Sequence, residues 1–343
     1  MEEQIKKTFA TPEGCDLVLE NVQGHIEVEG WDQPETEVVA MRHQEWAEVE
    51  MRQEGRQVVV RTRDERGPAG LFGADACIRW FFGGRTPAVD YTVHVPHASN
   101  LRLKSVNGPI HVAQVAGEVH AHNVDGSVAL ESVAGEVVSE TVNGSVQAAQ
   151  LQGKARLKAV NGKLQVQGGH LGGLTAEAVN GQIEVSAALA AEGRYDFHTV
   201  NGDCHLAVPA NLRARVTVHG VNSHVKCNVP SQSVERQFGH WQGVIGEGDG
   251  PLAEITFHTV NGSLHIDGGA PAAWESAPFA ARAKPAPEPA PESEPVVVKV
   301  AAPAGKEEAE QTSLPSQSDV LRMLERGEIT VDEALALLKK LGG

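Results

Sequence analysis

Val124-Asp125-Gly126-Ser127-Val128-Ala129-Leu130-Glu131-Ser132-Val133-Ala134-Gly135-Glu136-Val137-Val138-Ser139-Glu140-Thr141-Val142-Asn143-Gly144 contains two nine-residue steps, each closed by glycine. The beat extends outward through Gly117, Gly153 and Gly162. Every second glycine closes Val-Asn-Gly or Val-Asp-Gly, with Asn107, Asp125, Asn143 and Asn161 in the middle position. The tripeptide recurs at looser spacing around Asn180, Asn201 and Asn261, and as Val-Asn-Ser at Asn222. A short fixed period marks a fold of stacked copies of one small unit.

Within each step the apolar residues alternate. After Gly126 they are Val128, Leu130 and Val133; after Gly144, Val146, Ala148 and Leu151; after Gly153, Ala155, Leu157 and Val160. Period two places such residues on one face of a strand. Two short strands per 18 residues, each ended by a turn, describe a flattened, two-sided coil whose equivalent strands pair in parallel. A long antiparallel meander is the alternative, because Asn-Gly is also a strong hairpin signal. The two kinds of turn alternate, which favours a coil with two unlike corners. At one corner glycine supplies positive φ, asparagine tolerates the left-handed region, and stacked asparagines can form an amide ladder. The valine before each asparagine is expected to point inward and seal that edge.

The expected architecture is therefore all-β: a two-sided β-solenoid of coils about 18–21 residues long. Residues 1–100 form an irregular N-terminal β region continuous with it, and 101–268 the regular repeats. Residues 269–314, with Pro285, Pro287, Pro289 and Pro291 among Ala and Glu, read as a disordered linker. Residues 315–343 read as a short α-helical hairpin. Ser318 caps the first helix, Gly327 stops it, and Thr330-Val331-Asp332-Glu333 is a capping box for the second. Leu321, Leu324, Leu335 and Leu338 are its candidate partner-binding residues, for a protein partner or for self-association.

Composition narrows the function. Net charge is −16, which argues against nucleic-acid binding. The N-terminus lacks the apolar run of a signal peptide and no stretch is long and apolar enough to span a bilayer, so a cytoplasmic protein is expected. Cys15, Cys77, Cys204 and Cys227 are widely spread and read as reduced thiols. The apolar loop Trp80-Phe81-Phe82 reads as a cap on the core or as a sticky patch, which leaves peripheral membrane contact open.

The order of these motifs resembles the bacterial β-strand-repeat family known as domain of unknown function 4097, which carries an adhesin label. The resemblance rests on Val22-Gln23-Gly24 through Trp31, Val95-Pro96, Val106-Asn107-Gly108, Val200-Asn201-Gly202, Val208-Pro209 and Val260-Asn261-Gly262, and covers about residues 10–268. The terminal hairpin looks like the short helical module of envelope-stress β-repeat proteins. The resemblance implies a β-solenoid without catalytic residues or cofactors.

Two residues before each corner valine stand His122, Glu140, Lys158, Glu177, His198, His219 and His258. Glu140, Lys158 and Glu177 would form an alternating-charge ladder. His198, His219 and His258 would form an imidazole column, with a remote capacity to hold zinc. Asp125, Asp196 and Asp203 are the carboxylates an enzyme would use, but Asp125 occupies a turn position and the other two flank a corner on different faces. No set meets the geometry of a catalytic site. A non-enzymatic scaffold or binding protein is expected, with links to envelope stress or adhesion. A bactofilin-like self-assembling protein and a surface adhesin are the alternatives.

Overall fold

A computed structural model describes residues 3–64, 87–209, 211–237, 239–248 and 250–269. The expected linker, the helical hairpin with its four leucines, and the Trp80–Phe82 loop lie outside the described residues. The chain runs through β1 (Glu3–Ala10), β2 (Asp16–Gln23), β3 (Ile26–Trp31), β4 (Glu35–Arg42), β5 (Ala47–Glu54), β6 (Gln57–Asp64) and β7 (Val89–Pro96). It continues through β8 (Asn100–Asn107), β9 (Ile110–Ala113), β10 (Val119–Asp125), β11 (Val128–Glu131), β12 (Ala134–Asn143), β13 (Val146–Asn161) and β14 (Leu164–Asn180). The remaining strands are β15 (Ile183–Asn201), β16 (Cys204–Val208), β17 (Ala214–Cys227), β18 (Ser231–Gln237), β19 (His240–Ile245) and β20 (Ala253–Gly268). The strands join into one continuous sheet wound on itself, as expected for a β-solenoid.

Successive coils pair in parallel and in register. On one face β2, β8, β10, β12 and the second halves of β13, β14 and β15 stack in that order. On the other, β3, β9, β11 and the first halves of β13, β14 and β15 do the same. Inward residues form continuous columns such as Leu19–Leu103–Ala121–Ser139–Leu157–Ala176–Phe197. These columns are the core, and their members are almost fully buried. At the ends parallel pairing gives way to antiparallel: β1 with β4, β4 with β7 and β5 with β6 at one end, β17 with β19 and β18 with β19 at the other.

Sequence order and spatial order part company late in the stack. The strand that follows β15 in space is β20, which pairs with β15 and β16 on one side and with β17 on the other. The chain skips a place to build β17, turns back through β18 and β19, and then fills the gap with β20.

The corner glycines are required by close approach. A Cβ on Gly144 would lie 2.0 Å from the Gly126 carbonyl oxygen, and one on Gly181 would lie 1.8 Å from that of Gly162, so successive turns leave no room for a side chain. Positive φ occurs at the asparagine corner, at Gly24, Gly108 and Gly126, and non-glycine residues use it at the other corner. There Gln114, Ser132 and Gln150 take φ of 58°, 53° and 62°, and Gly168 follows in the next coil at 68°. A left-handed side-chain residue costs roughly 1–2 kcal/mol, and a recurring one shows that the coil path demands it.

A candidate binding groove beside the asparagine corner

The asparagines of this corner hydrogen-bond to one another along the stack. Asn143 Nδ2 donates to Asp125 Oδ1 at 2.8 Å, and Asn161, Asn180, Asn201, Asn261 and Asn222 each donate to the preceding member at 3.0–3.1 Å. The order follows space, with Asn261 between Asn201 and Asn222. Asn107 aligns with Asp125. A carboxylate has no N–H to pass on, so the chain of donors ends at Asp125.

The residue just inside this corner ties the turn to the neighbouring coil. Asn123 Nδ2 donates to the Gly108 carbonyl at 2.8 Å and Thr141 Oγ1 to that of Gly126 at 3.2 Å. In later coils the position holds Ala159, Ala178, Thr199, Thr259 and Gly220. These buried or half-buried small residues take the inward place, and the adjacent valines turn outward. Val124, Val142, Val179, Val200, Val260 and Val221 are 37–63% exposed, which corrects the inward placement expected for them. The cause is strand parity: Ala155, Leu157 and Ala159 point inward, so Val160 has the opposite sense.

On the other side of the small residues runs the outward column. Arg61, Glu20, Lys104, His122, Glu140, Lys158, Glu177, His198, His258, His219 and His240 align across successive strands. Arg61 contacts Glu20 at 3.0 Å, His122 contacts Glu140 at 3.1 Å and Lys158 contacts Glu177 at 3.5 Å. The last four members are imidazoles: His198, His258 and His219 stack face to face, and His240 is tilted by 39° against His219, with their Nδ1 atoms 3.3 Å apart. Centroids lie 4.8 Å apart for His198–His258, 5.1 Å for His258–His219 and 4.8 Å for His219–His240. Stacked rings do not aim their nitrogens at a common point, and among the described residues no group of three ligating side chains converges on a cation.

Between the valine row and this column, in the later coils, lies an open groove with a cavity volume of about 520 Å³. Its floor is Ala159, Ala178, Thr199, Thr259 and Gly220, and its walls are the valines and the polar column. The carboxylates an enzyme would use are engaged elsewhere. Asp203 Oδ1 accepts from the Ser263 amide at 2.8 Å, Asp196 pairs with Arg194 at 3.3 Å, and Asp125 anchors the ladder. Cys15 and Cys204 are free and buried, and burial raises both thiols above their ordinary range.

Sequence reasoning missed Asp90, which accepts from His43 Nε2 at 2.7 Å and from the His25 amide at 2.9 Å. Burial works against its ionisation, but these hydrogen bonds and the two imidazoles together hold its carboxyl below the usual range. It clamps the first corner to the turn after β4. No helix among the described residues is long and apolar enough to cross a membrane.

A family model described as Toastrack DUF4097 matches residues 16–267, and one described as a SHOCT-like domain matches residues 315–343. Solved structures with similar folds include an adhesin candidate from Bacteroides fragilis, at 10% identity and TM-score 0.40, covering 77% of this chain and 97% of that one. A lipid-binding candidate from Parabacteroides distasonis matches at 12% identity and TM-score 0.35, covering 77% and 96%. A cell-adhesion candidate from Clostridium sporogenes matches at 10% identity and TM-score 0.22, covering 78% and 100%. No curated protein matches the chain.

Proposed function

The chain belongs to the Toastrack DUF4097 family, and from that premise we propose that it is a non-enzymatic binding scaffold. The solenoid presents the groove beside the asparagine corner to an extended protein segment. The SHOCT-like segment, residues 315–343, recruits a second protein or self-associates. The observation that supports this most is the valine row, 37–63% exposed along one side of the groove. A repeat that needed the corner only for folding could carry polar residues there, whereas a contiguous exposed apolar strip suits a contact surface. The engagement of Asp125, Asp196 and Asp203 in structural contacts favours binding over catalysis.

Antiparallel strands at both ends of the stack weigh against bactofilin-like growth by end-to-end stacking, since they break the parallel template a further coil would use. The proposal keeps the protein in the cytoplasm, and recovery at the cell surface by fractionation would favour the adhesin reading. Affinity capture with the full chain, with residues 315–343 deleted, and with Val200→Ser plus Val260→Ser separates the two binding elements. Each change is expected to remove a different set of captured proteins while the circular dichroism of the solenoid is kept. Identical sets from all three proteins would overturn the proposal.

A further inference from the structure

β20 completes both faces of the stack out of sequence order, and it carries one histidine to each face. His258 lies between His198 and His219, with interplanar angles of 5° and 15°. His265 stacks on His205, centroids 4.7 Å apart and 15° from parallel. His240 from β19 extends the first row. Six imidazoles therefore meet across or next to the seams that β20 makes with its neighbours.

We propose that β20 is an acid-releasable strand: protonation of the two histidine rows loosens it from between β15–β16 and β17, while the coils from β8 to β14 stay closed. Neutral imidazoles stack without penalty. Imidazolium ions about 5 Å apart repel, well inside the screening length of about 8 Å at physiological ionic strength. Loosening β20 relieves that repulsion on both faces at once, because it removes the middle member of one row and separates the pair in the other.

The surrounding charges concentrate the effect on β20. In the first row Glu177 of β14 stands beside His198. In the second, Glu184 of β15 stands beside His205. His258 and His265 have no carboxylate as a row neighbour: His258 sits between two imidazoles, and His265 between His205 and Lys226 of β17. Farther along the first row's outward face are Arg194 and Asp196 of β15, Glu254 on β20 and Arg215 of β17, and Asp267 lies two residues beyond His265 on the second row's face.

Burial first, then His198 and His219, hold His258 below the ordinary histidine range, with Asp196 opposing. The sign follows. The folded state resists protonating His258, so its stabilising effect is complete above the unfolded histidine pKa, and is lost as pH falls through that value toward the lower folded one. The turn into β20 passes through Gly246 and Gly248, at φ of 83° and 101°.

The test is hydrogen exchange of the full chain at about pH 7.5 and about pH 5, corrected for intrinsic rates. Amides of residues 255–258 and 264–266 are expected to lose protection by about tenfold or more on acidification, while those of 146–148 and 164–166 change by less than about twofold. His258→Gln with His265→Gln should reduce the acid response of β20 to under about threefold. If that variant does not fold, His198→Gln with His205→Gln removes the His198–His258 and His205–His265 ring contacts without altering β20. Equal loss of protection in all coils, or an acid response unchanged in the variant that folds, overturns the proposal.

Discussion

The coils formed by residues 100–180 and those formed by residues 183–268 share one stack, but they hold their neighbours by different means. In the first group the outward column reads Lys104, His122, Glu140, Lys158, Glu177, and each charged member meets an opposite or titratable one. Such a column favours one neighbour over another, and these coils stack in the order of the chain. In the second group the same column reads His198, His258, His219, His240. Identical side chains cannot discriminate between neighbours by charge. There the order is set by the fit of the core, and a strand from later in the chain takes the place next to β15.

The core explains why β20 wins that place. Phe197-His198-Thr199-Val200-Asn201-Gly202 and Phe257-His258-Thr259-Val260-Asn261-Gly262 are the same six residues. Stacked, they put Phe257 on Phe197, both fully buried. β17 offers Val218 at that position, a smaller side chain, and it takes the outer place. The early coils fill the same column with Ala121, Ser139, Leu157 and Ala176. The later half thus holds more aromatic volume in this column, and the groove runs into it from Lys158 and Glu177 at the end of the early group.

This contrast can be broken most forcefully at the aromatic pair. Phe257→Ala should cost about 3–5 kcal/mol, because it empties a fully buried site between coils. Exchange protection should fall in β15, β17 and β20 and be kept in β10 and β12; equal loss in both regions would show that the halves do not differ in how they are held. Gly144→Ala attacks the early half. Its Cβ would meet the Gly126 carbonyl at 2.0 Å, and a loss of about 1–3 kcal/mol is expected in denaturant titration. No measurable loss would remove close approach as the reason for the glycine column.

Smaller changes sharpen the role of the outward column. Lys158→Glu would place three carboxylates in a row with Glu140 and Glu177 and should destabilise by roughly 0.5–1 kcal/mol at low salt, less at high salt. The corresponding substitution at His198 puts one carboxylate beside the Glu177 already there and an imidazole on its other side, so a smaller change is expected. If the two are equal, the early column does not depend on alternation. Asp125→Asn would restore a donor to the ladder and allow it to reach Asn107. A gain of about 0.5–1 kcal/mol in thermal unfolding is the expected result, and a loss would show that the carboxylate has a local role of its own.

Much of this architecture was legible in the chain. The nine-residue glycine beat specified the coil, and the recurring asparagine specified the ladder. Valine direction was misread because an apolar residue was assumed to be buried, although counting inward from Ala155 through Ala159 assigns Val160 to the outside. The left-handed corner at Gln114, Ser132 and Gln150 was hidden because neither glycine nor asparagine stands at those positions, and Gly168 was its one visible sign. The strand order was encoded in the duplicated Phe-His-Thr-Val-Asn-Gly, whose two copies are 60 residues apart and so were read as distant repeats. The groove depends on the outward valines, on the small residues inside the asparagine corner and on the insertion of β20.

The most direct test compares the two halves as binding surfaces in the full chain. Val106, Val124 and Val142 changed together to serine alter the early part of the row; Val179, Val200 and Val260 changed together alter the part that walls the groove. Capture of the proteins that do not depend on residues 315–343 should be kept by the early triple variant and lost by the later one, with both proteins folded by circular dichroism. Capture unchanged in the later variant, or lost equally in both, would contradict the assignment of the groove as the binding site.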